Sequence, residues 1–383
     1  MKTLKICSSL LFALLISASV FGQDSTKTFT LSGSVDTYFR SAFGTENDVY
    51  GGYAPATSFA ELKGFSLGMV NLIAAYQGEK VGFVGDLVFG PRGKAAVFGT
   101  ASGQAIINQM FAYYKLSDAV TLNMGQFNTF LGYEVISPAI NFHYSTSYLF
   151  SWGPFNHTGL RADFAFGNGM VAKLAVMNPT DIVEFNPVNT YTFGAQIGKT
   201  GDAGGIWFNF LYGDQDGTLD EKDEFLDENG DLITSAGTLF QGDVTLGYNL
   251  SETFYLGVNA SYQTVATGEE FTGPGAIADT PGDASSFVGV AVYPKIALSE
   301  SFALGLRAEY FSIMKNHLEI IGLDDNGDGN VVEFTLSGNY KVGGFTFIPE
   351  FRIDKTSEDS FLDKDGDATD MMPSLTFAAV YKF

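Results

Sequence analysis

The chain has 383 residues, with 21 Lys and Arg against 43 Asp and Glu, for a formal charge of −22. That acidic excess excludes a nucleic-acid partner, whose phosphates it would repel. The single Cys, Cys7, lies in an N-terminal segment expected to be removed, which excludes a disulfide framework, thiol catalysis and Cys-ligated zinc.

The first 22 residues read as a cleaved secretory signal. Lys2 and Lys5 form a positive start, Cys7 to Val20 a short apolar run, and Val20-Phe21-Gly22 a cleavage site before Gln23. The mature chain is then one unit, residues 23–383. No later apolar run reaches the length of a spanning helix. Aromatics nevertheless make up 15% of the chain, with 36 Phe, 18 Tyr and 45 Gly, and the mean hydropathy is only +0.10. This combination points to an all-β protein: a transmembrane antiparallel up-and-down barrel.

Period-2 alternation locates about sixteen strands. The first eight are expected near 28–43, 64–77, 80–90, 104–116, 119–127, 157–167, 169–178 and 190–199. The second eight are expected near 204–213, 237–249, 252–264, 285–298, 301–314, 331–342, 344–354 and 373–383. In "FYLGVNASYQ", Phe254, Leu256, Val258, Ala260 and Tyr262 form an apolar face, while Tyr255, Gly257, Asn259, Ser261 and Gln263 form the other, more polar one. Alternation slips near 64–77, 104–116 and 285–298, where bulges are expected. Connectors alternate between short, such as "GEK" and "GNG", and long, the asymmetry between periplasmic turns and extracellular loops. The last strand, "PSLTFAAVYKF", ends in Phe383 and resembles the signal read by the barrel-assembly machinery.

The third long loop is too aromatic to lie in water. Phe130, Tyr133, Ile136, Phe142, Tyr144, Tyr148, Phe150 and Trp152 must be buried, and folding this loop into the lumen would bury them; packing over a neighbouring rim or against another subunit is the alternative. The polar strand faces then place Asp36, Arg40, Asp86, Arg161, Asp163, Asp243, Arg307, Glu309, Glu333, Lys341, Glu350, Arg352 and Lys382 inward. Glu134, on the loop, is expected at the narrowest point. These charges either line a hydrated pore or pair to hold loop and wall together.

The run Gly125, Phe127, Thr129, Gly132, Tyr133, Glu134, followed by Asn141, Tyr144-Ser145 and Ser147 and then Gly153-Pro154, His157-Thr158-Gly159, resembles the second type of β-barrel porin, the OmpL-like family. The resemblance is strongest over 105–180. It implies an outer-membrane channel more firmly than any particular solute. The expected activity is passive diffusion of small hydrophilic solutes, with a modest preference for cations from the acidic excess. A substrate-specific uptake channel or surface-binding barrel is the alternative. A barrel hydrolase is the remote one, because His143 and His157 lie near Ser145, Ser147, Ser151 and Glu134, although no nucleophile motif surrounds them. Expected partners are outer-membrane lipids, lipopolysaccharide and, as in trimeric porins, two further copies of the chain.

Three acidic stretches read L-D-x-(N/D)-G-D. Their oxygens are Asp227, Asn229 and Asp231; Asp324, Asn326 and Asp328; and Asp363, Asp365 and Asp367. Each fits the first half of a calcium loop, but Thr238, Thr335 and Ser374 stand where the closing Glu belongs. Two readings remain: solvated Asx-turns, or weak Ca²⁺ or Mg²⁺ sites on extracellular loops. No cofactor is required.

Overall fold

Alternating side chains on a strand point to opposite faces, so a chain alternating apolar and polar residues folds into a sheet with two unlike surfaces. In a computed structural model of the protein, this sheet closes on itself. The structure describes residues 27–46, 55–98, 106–187, 190–215, 225–226, 232–233, 238–266, 270–273, 276–278 and 284–383. The secretory segment and the first acidic motif (Asp227, Asn229, Asp231) lie outside the described residues.

The barrel strands are β1 (Thr28–Ala42), β2 (Gly64–Gln77), β3 (Val81–Phe89), β4 (Ile107–Ser117), β5 (Val120–Asn128), β6 (Asn156–Ala165), β7 (Met170–Met177) and β8 (Thr192–Gly201). They continue as β9 (Gly204–Gly213), β10 (Leu239–Asn249), β11 (Phe254–Val265), β12 (Ser285–Ala297), β13 (Phe302–Met314), β14 (Gly329–Val342), β15 (Phe345–Thr356) and β16 (Met371–Lys382). Each pairs antiparallel with its sequence neighbours, and β1 meets β16 from Ser34↔Lys382 to Ala42↔Ser374. Closure leaves no open edge, which a backbone surrounded by hydrocarbon requires.

The outer face is apolar. Phe65, Leu67 and Met124 are 91%, 70% and 72% exposed, values that suit lipid and not water. The inner face carries the buried polar residues, among them Asn259, Ser261 and Gln263 of β11. Seven short turns lie on one rim and the long connections on the other. In the turn 166–169, Gly167, Asn168 and Gly169 all take positive φ, a conformation open to Gly and Asn.

Two of the three expected slips are bulges. Register shifts by one residue in β2 opposite Val35–Thr37, and in β4 on both of its neighbours. The third strand, β12, keeps its register. Its alternation is disturbed by Pro294, which has no N–H to give to β13, and pairing on that side stops at Val292 and resumes at Lys295.

Candidate functional site

The third loop leaves the wall after Thr129, whose N–H donates to Phe155 O at 2.9 Å, and returns at β6. Between these points it folds into the barrel. Gly132 turns it with φ +83° and donates its N–H to Asp243 Oδ1 at 3.0 Å. Asn141 clamps the loop on itself, accepting from Val135 N at 3.0 Å and donating to Val135 O at 2.6 Å. One helical turn, α1 (Tyr148–Ser151), is capped by Ser147, whose Oγ accepts from Phe150 N at 3.0 Å.

Wall carboxylates receive the loop backbone. Glu350 accepts from Tyr144 N and Ser145 N at 2.8 and 3.1 Å. Glu309 accepts from Tyr148 N and Leu149 N at 2.8 and 2.7 Å, filling the first N–H groups of α1. Asp36 accepts from Tyr144 Oη at 2.6 Å. Two wall arginines take the loop carbonyls: Arg307 donates to Ser145 O and Arg352 to Thr146 O, each at 2.8 Å. The same arginines pair with carboxylates, Arg307 with Glu134 at 2.8 Å and Glu333 at 2.9 Å, and Arg352 with Asp354 at 2.7 Å. Buried charges are tolerated when paired and fully hydrogen-bonded, as these are.

The barrel wall is hollowed to receive the loop. A Cβ added at Gly257 would lie 2.5 Å from the Tyr133 ring, one at Gly305 2.4 Å from Phe142, and one at Gly289 2.7 Å from Leu149. Tyr133 stacks on Tyr293 of β12 with ring centroids 4.2 Å apart.

The residues read as pore-lining therefore divide into two groups. Asp36, Arg40, Asp243, Arg307, Glu309, Glu333, Glu350 and Arg352 stand on the inner face but are buried. Most are closed off by the third loop. Asp86 is also buried, bonded by Asn71, Asn108 and Gln109 within the wall. Glu134 does not face open space at a narrow point. Ser147 and Arg307 consume both its oxygens, and its side chain is only 3% exposed. Arg161 and Asp163 keep partial access, as a 2.8 Å pair beside Lys173, and Lys341 and Lys382 are exposed.

Free space lies at the short-turn end. A cavity of about 440 Å³ reaches the turns at 201–204 and 252–254 and is roofed by loop residues Pro138 to Phe142. Its charged lining is Lys295, Lys341 and Glu252. Sequence reading placed Lys341 inward but passed over Lys295, because Pro294 interrupts the alternation beside it. It also passed over Asp354, although a position two residues from Arg352 on a strand shares its face.

The serine and histidine side chains form no hydrolase arrangement among the described residues. Ser145, Ser147 and Ser151 bond to Arg307, Glu134 and the Ser147 carbonyl, and His157 Nε2 contacts Thr129 Oγ1 at 3.0 Å. His143 Nδ1 meets Ser337 Oγ at 2.8 Å, but the acid, Glu350, bonds that serine and not the histidine. His317, on the seventh long loop, bonds Ser285 and Gln263, and burial holds its imidazole down to about 3.

In the second and third acidic loops, the first Asp of each motif holds its own backbone. Asp324 Oδ1 accepts from Asn326 N and Asp328 N at 2.8 and 3.0 Å, and Asp363 Oδ1 from Asp365 N and Asp367 N at 2.8 and 2.9 Å. Both are Asx-turns.

The chain also matches a known family. The model described as "Putative beta-barrel porin-2, OmpL-like" covers residues 28–383. The chain belongs to this porin family. Comparison with curated sequences gave no match. Solved structures share the fold of this OmpL-like barrel at low identity. Outer-membrane expressed OmpT of Vibrio cholerae superposes with TM-score 0.58 at 10% identity, over 95% of this chain and 100% of that one. The outer membrane channel DcaP of Acinetobacter baumannii gives 0.58 at 12%, over 96% and 100%. Salmonella typhi OmpF, in complex with daunomycin, gives 0.58 at 11%, over 93% and 97%.

Proposed function

We propose that this OmpL-like barrel is a diffusion channel of the outer membrane for small hydrophilic solutes, narrowed by its third loop. The observation that carries this reading is the cavity of about 440 Å³ that reaches the short-turn rim under the loop. Liposomes containing the purified protein should swell in unrelated sugars at rates set by sugar size. Saturation and competition between sugars would replace this with the specific-channel reading, and no swelling at all would overturn it.

The modest cation preference belongs to the outer mouth. Exposed carboxylates crowd the seventh and eighth long loops, including Asp324, Asp325, Asp328, Glu358, Asp359 and Asp365. A reversal potential favouring potassium over chloride is expected in planar bilayers, weakening with salt as those exposed charges are screened. A chloride-favouring potential would refute it. The proposed assembly is a homotrimer, the form in which one OmpT structure was solved. Crosslinking in membranes should trap three copies.

For the acidic loops we propose the Asx-turn role. The leading Asp of the second and third motifs is engaged by its own loop, so titration with millimolar calcium should release no saturable heat.

A further inference from the structure

The roof of the vestibule is not sealed evenly. Above it lies a recess of about 10 Å³, room for one or two heavy atoms, lined by Tyr133, Glu134, His143 and Tyr293 together with Asn141, Phe142 and Lys295. The last three residues also line the vestibule, so the two spaces share a wall.

At the recess Nε2 of His143, on a residue that is 1% exposed, has no hydrogen-bond partner; Ser337 Oγ gives its own proton to Glu350, so the His143 proton sits on Nδ1 and Nε2 presents a lone pair. Buried polar groups are normally satisfied, and an unmade bond there costs free energy. Lys295 stands at the same boundary. Its ammonium packs 3.7 Å over the Tyr255 ring and 5.7 Å from that of Phe142, and among the described residues no carboxylate lies within salt-bridge distance of it. Lys341 is its charged neighbour and lines the vestibule with it. The nearby acid, Glu134, is already matched to Arg307 at 2.8 Å. Glu252 lines the vestibule from the short-turn rim. Rings of Phe142, Tyr255 and Trp207 and the side chain of Ile348 supply flat apolar walls.

We propose that the vestibule forms a binding site for a small organic anion: a carboxylate head on a flat apolar body. The recess, which presents the His143 Nε2 lone pair beside Glu134, takes no anion and keeps the head in the vestibule. The carboxylate faces Lys295, and the body lies against Phe142 and Tyr255. Lys341 draws the anion in from the short-turn rim. A cavity of this volume and lining suits a ligand of one ring. The site rests on the reading of the vestibule as solute-accessible, and it names a class of solute that the channel would hold on passage.

Benzoate and its uncharged analogue benzamide test the site by calorimetric titration of the purified barrel in detergent, which requires no conduction. Saturable heat is expected with benzoate and none with benzamide. Lys295→Gln should weaken benzoate at least tenfold, the usual size of one lost charge-assisted hydrogen bond. If that variant does not fold, Lys341→Gln, altered at an exposed position, should weaken it several-fold. No benzoate heat, equal binding of benzamide, or an unchanged affinity in the lysine variants would overturn the proposal. Benzoate binding without liposome swelling would keep the site and defeat the channel, and swelling without benzoate binding would do the reverse.

Discussion

At the scale of single residues, Arg307 joins the third loop to the wall. It is 0% exposed and donates to Glu134, Glu333, Thr335 and two groups of Ser145. Removing it leaves buried Glu134 without its cation and Glu333 with Arg352 alone at 3.8 Å, so Arg307→Met should cost about 3–5 kcal/mol. Urea unfolding of the detergent-solubilised barrel would show it, and Arg307→Lys should restore only part because a single ammonium cannot reproduce the fork. Asp181, on the fourth long loop, holds the end of the third loop by accepting from Phe155 N and Asn156 N at 2.9 and 2.7 Å. Burial pushes its carboxyl up to about 7, against the pull of those two N–H groups. Between its unfolded value near 4 and that folded value of about 7, the folded chain alone keeps the proton. Stability from this group is therefore complete below pH 4 or so and declines as pH rises through about 7. Asp181→Asn should match the native protein at pH 4 and exceed it at pH 8, by on the order of 2 kcal/mol. A constant difference at both pH values would defeat this account.

At the scale of elements, the third loop is held in place by the strands that face it. Gly257, Gly289 and Gly305 of β11–β13 leave the room that Tyr133, Leu149 and Phe142 fill. Gly305→Leu should expel Phe142 from the roof of the vestibule. Single-channel conductance should then rise with little change in the barrel's β-sheet circular dichroism, whereas unchanged conductance would show that Phe142 does not narrow the path. The alternation of Phe302, Leu304 and Leu306 with Arg307 and Glu309 made β13 legible without coordinates, as the buried pattern of its inner face confirms. The buried state of Arg307 and Glu309 was not legible. Alternation assigns a face, and only the loop's path decides whether that face meets water.

At the scale of the whole molecule, strand number, closure and connector lengths place a loop rich in aromatics where an aqueous pore would otherwise be wide. Deleting residues 130–155 would remove the groups that satisfy Asp243, Glu309, Glu350, Arg307 and Arg352. The shortened barrel should show larger single-channel conductance together with lower thermal stability, since those wall charges would then have to be hydrated. Conductance equal to that of the full chain would place the narrowest point elsewhere.

The sequence by itself determined the strands, their faces, the sorting of turns and loops onto two rims, and the burial of the third loop. Each follows from local periodicity or from the cost of exposing apolar surface. It also pointed to the charges on the inner wall. Only the tertiary structure decided which of them meet solvent. The pairing of Glu134 with Arg307 spans 173 positions of sequence, and that of Glu350 with the Ser145 backbone spans 205. Such contacts depend on where a folded loop comes to rest against a closed wall, which no local pattern encodes. The same holds for the vestibule, whose lining joins the third loop to the short-turn ends of eight strands, β8 to β15, brought together by barrel closure.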